Sequence, residues 1–161
     1  MVEISIYTDG ASRNNQKQNE AIASWAYAVI FKNVIVREKA KCNHVHTTNN
    51  QNELIACIEG LKSINPKVNE GLSVTIYSDS KYVTEAFNQK WIQSWVKNNW
   101  FKSNKKPVEN KDLWLSLLGE IVRLNKLNCP VTFFHVKGHA EDHWNNYVDG
   151  LCNDALDTLK Y

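Results

Sequence analysis

The sequence predicts an α/β domain built on one mixed sheet, and three observations carry that prediction. Two-residue alternation comes first, in Ile4-Ser5-Ile6-Tyr7, then in the largely apolar run Ile22 to Phe31, then from Asn33 to Lys41. Helical spacing follows, in Leu54, Ile58 and Leu61 with Cys57 beside them. Strand-like segments then return between helical ones, at Leu72 to Tyr77 and Pro130 to Val136. Strands followed by alternating helices and strands bury their apolar faces as a sheet with helices on its faces.

Each element has its own warrant. The opening strand ends at Asp9-Gly10, where glycine lets the chain turn and leaves the acid exposed at the strand end. Arg13 to Glu20 is polar and without periodicity, so it reads as the loop joining the first two strands. A tight Lys32-Asn33 turn joins the second strand to the third, completing an antiparallel meander. Thr47-Thr48-Asn49-Asn50 suits a helix start, and Pro66 and Gly71 bracket the exit of that helix. The strand Leu72 to Tyr77 again leads to an acid, Asp79, and Ser80 starts a short helix over Lys81 to Asn88. Trp91 to Trp100 carries three tryptophans, and Asn98 to Val108 is a lysine-bearing loop. Leu113, Leu117, Ile121 and Leu124 give a helix over Asp112 to Leu127. Lys137 to Asn145 is a loop, and Val148, Leu151, Cys152, Ala155, Leu156 and Leu159 mark a terminal amphipathic helix.

The 161 residues fit a single domain spanning 1–161, and an apolar fraction of 43% with 22% charged residues is ordinary for a soluble protein. Four scattered cysteines, Cys42, Cys57, Cys129 and Cys152, form no CxxC pair and read as free thiols of a reducing compartment. The N-terminus lacks a signal pattern, and the run Ile22 to Phe31 is too short to span a bilayer. An intracellular, cytoplasmic domain with no membrane partner is the expectation.

Four acids stand at informative positions. Asp9 and Asp79 each follow an apolar strand, while Glu53 and Asp149 fall in the first turns of helices at the core margin. A helix dipole would explain either helical acid alone. Four carboxylates converging on one site would repel each other unless a divalent cation sat among them. Oxygen-only ligands suit Mg²⁺ or Mn²⁺, the ions that activate water in phosphodiester cleavage, two of them about 4 Å apart. Zinc is the competing reading, from Cys42, His44 and His46 along one strand and the pair His139 and His143, but the missing CxxC partner disfavours it. The stretch Ala86 to Val108 holds Lys90, Lys97, Lys102, Lys105 and Lys106 and no acid, so the net charge of +2 is strongly polarised. Trp91, Trp95 and Trp100 are interleaved with those lysines, a combination that holds phosphates and packs on sugars or bases. Acidic metal centre and basic aromatic patch together point to a nuclease.

These residues resemble type 1 ribonuclease H, the family that cuts the RNA strand of RNA/DNA hybrids. The matching motifs are Tyr7-Thr8-Asp9-Gly10, Thr47-Thr48-Asn49-Asn50 with Glu53-Leu54, and Ser78-Asp79-Ser80 with Tyr82-Val83. Lys105-Lys106-Pro107-Val108 with Asn110 and Asp112-Leu113-Trp114 follows, then Val136-Lys137-Gly138-His139-Ala140 and Asp149. They come in family order over nearly the whole chain.

The resemblance implies an RNase H-like fold, a mixed five-stranded sheet of three antiparallel then two parallel strands. It implies a metal-dependent endoribonuclease that leaves 5′-phosphate and 3′-OH products. Asp9, Glu53, Asp79 and Asp149 correspond to the acids that bind two Mg²⁺ ions, Mn²⁺ being the alternative, with Asp9 bridging both. His139 matches the loop histidine that assists proton movement or product release. Thr48 and Asn110 match positions that hold a DNA-strand phosphate, and Asn49 and Asn50 match asparagines near the minor groove. Trp91 and Trp95 match aromatics of the DNA-strand groove, and Lys97, Lys102, Lys105 and Lys106 fall in the family's basic protrusion. The loop after Asp9 departs from the family in having no glycine, so Asn14 and Asn15 are both candidates for its RNA-contacting asparagine. Lys81 stands where a glutamine is common. A single domain with no separate hybrid-binding domain before the first strand, acting as a monomer on an RNA/DNA hybrid, is expected. Two other classes stay open: a non-catalytic hybrid-binding module, and a related nuclease with different duplex specificity.

Overall fold

The computed structural model describes residues 1–15, 20–43, 47–137 and 142–158. Its order is βββαβαααβα, as the periodicity implies. The strands are β1 (Val2–Asn15), β2 (Glu20–Phe31), β3 (Val34–Asn43), β4 (Leu72–Ser78) and β5 (Val131–His135). The helices are α1 (Asn49–Lys62), α2 (Lys81–Asn88), α3 (Trp91–Lys97), α4 (Lys111–Lys126) and α5 (His143–Asp157). The five strands lie in the order β3-β2-β1-β4-β5. β1 pairs antiparallel with β2 and parallel with β4, so it is the central strand where the meander meets the parallel half. β2 pairs antiparallel with β3, and β4 pairs parallel with β5.

The β2–β3 hairpin closes through Lys32 and Asn33, both at positive φ (49° and 61°), the two-residue turn whose twist matches that of its strands. α1 is capped by Thr48: its hydroxyl oxygen accepts from the Gln51 amide, and the Gln51 side chain accepts from the Thr48 amide. Ser80 caps α2 by accepting from the Val83 amide.

α1 lays Leu54, Cys57, Ile58 and Leu61 into the main core with Ile6, Tyr27, Val29, Val74 and Ile76 of the sheet. Trp114, Leu117 and Leu124 of α4 complete that side, all fully buried. α5 covers the opposite face of β1, β2 and β3, where Val148 meets Ala28 and Ile30. On that face Tyr7 stacks on Tyr77 with centroids 4.6 Å apart, and Tyr77 meets Phe134 at 5.5 Å, a row crossing β1, β4 and β5.

Three expectations are corrected. β1 does not turn at Gly10: Gly10 pairs with Trp25, and the ladder continues through Arg13↔Ile22 to Asn15↔Glu20. Backbone pairing with β2 holds this extension as strand whatever its side chains, so the polar residues from Arg13 to Asn15 concealed it. α5 begins at His143, inside the expected loop, capped by Asp142 accepting from the Asn145 amide. Asp149 therefore lies in the second turn of α5, and Glu53 lies beyond the first turn of α1, so neither is a first-turn dipole partner.

Candidate active site

The site forms because one close approach is permitted. A Cβ on Gly10 would lie 2.6 Å from the Glu53 amide nitrogen and 2.7 Å from the Asn52 carbonyl carbon. Glycine is required here for space, not for a turn: it lets the second turn of α1 rest on the central strand. Asp9 is thereby buried at 4% exposure rather than left exposed at a strand end, and Glu53 is equally buried beside it. Asp79 is half-buried just past β4, where Ser78 accepts from the Ser80 amide and Ser80 starts α2.

Carboxylate oxygens of Asp9, Glu53 and Asp79 all lie within 4.8 Å of one another. Asp149 joins them in lining one cleft of about 420 Å³, although it is exposed and stands outside that tight trio. Burial, then the charge of Asp79 and the neighbouring Asp149, push the Asp9 carboxyl up to about 8. Burial and the charges of Asp9 and Asp79 also hold the Glu53 carboxyl well above its ordinary range, opposed by a hydrogen bond from the Gly10 amide. Glu53 Oε2 is buried and has no hydrogen-bond partner. A buried, partnerless carboxylate oxygen facing two more carboxylates is the donor set of a hard divalent cation. Asp9, Glu53 and Asp79 fit such an ion, and Asp149 lines the same cleft. Among the described residues this is the one His, Cys, Asp and Glu cluster with that geometry, and Cys42 is not part of it.

The cleft also brings in Asn49, Asn50 and Lys81, three of the nucleic-acid candidates, all exposed. Thr48 and Asn110 are not among the residues lining that cleft. Thr48 caps α1, and Asn110 borders a second cleft of about 450 Å³ between the starts of α1 and α4, lined also by Thr47, Gln51 and Leu113. Asn110 sits at φ 60° ahead of α4 but does not cap it; its side-chain amide donates to the Tyr82 hydroxyl oxygen, as does the Trp114 indole.

Trp95 is wedged against Trp91, Trp100 and Trp114, so it works as the edge of the core, whereas Trp91 is 39% exposed. Lys97, Lys105 and Lys106 are exposed and Lys102 half-buried. The lysine segment is an ordered turn rather than a free loop: Lys102 and Lys106, then Trp100 and Val108, pair through their backbones. Asn14 and Asn15 belong to β1 by their backbone, and their side chains lie outside the described residues, as do His139, His44 and His46. The four cysteines are free thiols. Buried Cys152 donates to the Asp9 carbonyl oxygen and buried Cys57 meets the Thr8 hydroxyl, with burial pushing both thiols up.

Three residues of this region had no role in the sequence reading. Tyr82 lines the cleft and takes two donors on one oxygen. Asn145, one turn before Asp149, is 3% exposed with a partnerless Oδ1. Asn153 donates to Asp149 Oδ2 at 3.5 Å and accepts from Arg13 at 3.1 Å. The four-residue steps from Asn145 to Asp149 to Asn153 were the available signal.

Residues 2–157 match a family model described as RNase H. The chain is 40% identical over 153 residues to a ribonuclease H of Caldanaerobacter subterraneus subsp. tengcongensis, covering 95% of this chain and 90% of that one. It is 40% identical over 157 residues to a ribonuclease H of Clostridium botulinum strain Hall, covering 98% and 97%. Among solved structures, a foamy viral protease-reverse transcriptase in complex with RNA/DNA hybrid is similar with a TM-score of 0.78 at 18% identity, over 98% of this chain and 20% of that one.

Proposed function

The chain belongs to the RNase H family, and from that premise we infer that it is a ribonuclease H, a metal-dependent enzyme hydrolysing the RNA strand of RNA/DNA hybrids. The observation that carries this is the trio of carboxylates within 4.8 Å of one another, around a buried oxygen that nothing in the protein partners.

In this reading Asp9, Glu53 and Asp79, joined by Asp149, would hold the divalent cations, Mg²⁺ or Mn²⁺. Ions held there would supply activation of water and stabilisation of charge at the leaving 3′ oxygen. The chain's own residues do the rest. Gly10 and α1 hold Glu53 over the central strand, and burial around Asp9 keeps the site's dielectric low, which strengthens its pull on a cation. Asn49, Asn50 and Lys81 meet the hybrid beside the cleft, with Asn14 or Asn15 approaching the RNA strand. Thr48 and Asn110 take a DNA-strand phosphate, Trp91 packs on the DNA strand against a Trp95 support, and Lys97, Lys102, Lys105 and Lys106 attract the backbone. His139 moves a proton or helps release product. A hybrid is told from other duplexes by 2′-OH groups on one strand and deoxyribose on the other. Among the described residues no helix is long and apolar enough to cross a membrane; a monomeric cytoplasmic enzyme of one domain is the simplest form of this reading.

The test compares RNA/DNA, RNA/RNA and DNA/DNA duplexes of one sequence, each with Mg²⁺ and with EDTA. Cleavage of the RNA strand of the hybrid alone, and only with Mg²⁺, is expected. Binding without cleavage would make the domain a hybrid-binding module, and cleavage of the DNA duplex would assign another nuclease specificity.

A further inference from the structure

Asp149 is the least constrained of the four acids. It projects from α5 into solvent and stands outside the tight trio, yet it lines the same cleft as Asp9. Something must fix its carboxylate if it is to serve the same cation. The stretch of β1 just past Asp9 supplies the means. Asp9, Ala11 and Arg13 alternate onto one face of β1, and Asp149, Asn153 and Asp157 recur every four residues on α5. The two rows are commensurate: four strand residues span about 13 Å and eight helical residues about 12 Å. Asp9 therefore meets Asp149 at one end while Arg13 meets Asp157 at the other, with Asn153 between.

The contacts follow that geometry. Arg13 Nη1 pairs with Asp157 Oδ1 at 2.6 Å, and Arg13 Nη2 donates to Asn153 Oδ1 at 3.1 Å. A guanidinium has donors only, so it dictates which end of the Asn153 amide faces it. The NH₂ end must then face Asp149, where it donates to Oδ2 at 3.5 Å. The Arg13–Asp157 pair is exposed on both sides, and such pairs contribute only about 0–1 kcal/mol to stability. Fold stability is thus a poor account of the arrangement, whereas the orientation of one carboxylate is a good one. Arg13 also lies in the segment where the chain departs from the pattern of the family it resembles.

We propose that Arg13 and Asn153 are positioning residues for Asp149, orienting its carboxylate toward the divalent cation and so setting the affinity of the site. The inference rests on the metal-dependent reading above. Neither residue touches substrate or metal; Asn153 acts on Asp149, and Arg13 acts on Asn153.

The experiment titrates Mn²⁺ into the full chain by calorimetry without nucleic acid, then measures the Mg²⁺ concentration that half-activates hybrid cleavage. Partners of metal ligands typically contribute about 10–100-fold in affinity. Asn153→Ala is expected to weaken Mn²⁺ binding about tenfold and Arg13→Ala somewhat less, with the KM for hybrid unchanged at saturating Mg²⁺. In an Asp149→Asn background both effects should disappear, because the carboxylate being oriented is gone. Wild-type Mn²⁺ affinity in both variants overturns the proposal, as does a loss of equal size in the Asp149→Asn background, which would mark a general structural defect. The melting temperature in EDTA checks that each variant folds. A wild-type chain that neither binds Mn²⁺ nor cleaves hybrid would instead sink the functional reading itself.

Discussion

At the scale of single residues, Asp9 decides most. Its carboxyl rises from an ordinary 3.8 to about 8, first because it is buried and then because Asp79 and Asp149 lie beside it. The folded protein thus keeps a proton that the unfolded chain has already lost. The stability tied to that proton is whole below about pH 4 and is lost as the pH rises through about 8. In EDTA, calorimetry should find the melting temperature falling between pH 5 and pH 8, by about 2–4 °C for each kcal/mol involved. Mg²⁺ should suppress that fall by holding the carboxylates ionised. Asp9→Asn should abolish cleavage, leave hybrid binding largely intact, and raise the metal-free melting temperature at pH 8 by removing one of the opposed charges. A pH-independent melting temperature in wild type, or wild-type turnover in the variant, contradicts this. The sequence picked out the acids that the fold gathers in one cleft, because each follows an apolar strand or flanks a core position. It did not disclose that Asp9 is buried, because burial depends on α1 arriving over Gly10, a tertiary event with no local pattern.

At the scale of elements, the contact between β1 and α1 is where the site is most vulnerable. Gly10→Ala places a methyl group 2.6 Å from a backbone nitrogen, and neither strand nor helix can yield as a flexible side chain would. The expected cost is about 1–3 kcal/mol in urea denaturation, with a loss of cleavage larger than the loss of fold, since Glu53 is displaced first. Full activity would mean that α1 can shift freely. The helices and the hairpin were legible because caps and turns are local chemistry: Ser80 starts α2 and Lys32-Asn33 turns the hairpin where the sequence says they should. The extension of β1 through Arg13 to Asn15 was not, because its partner residues near Ile22 supply the pairing that its own composition hides. Trp91 and Trp95 show the same boundary from the other side. Both stand on α3, four residues apart, and only packing against Trp100 and Trp114 separates the core tryptophan from the exposed one.

Across the whole molecule, two clusters of charge stand out. Carboxylates gather in the cleft, and lysines on the ordered turn between α3 and α4. Neutralising Lys97, Lys102, Lys105 and Lys106 together should weaken hybrid binding and reduce the salt slope by about 1 for each lysine that sits on a phosphate. An unchanged slope would mean that the turn faces away from the duplex. The topology has a consequence in time as well. β1 is made early, yet its parallel neighbour β4 follows only after α1, and α5 comes after every other described element. Domains emerge from the ribosome N-terminal part first, so Asp9 and Asp149, at nearly opposite ends of the chain, meet only once α5 has been made. Until then the sheet face that α5 covers has Ala28 and Ile30 bare, and the fourth carboxylate is missing. A nascent chain carrying the early acids is thus a growing polypeptide attached to an RNA-rich machine, with its cutting centre unfinished until the helix that closes the sheet is delivered.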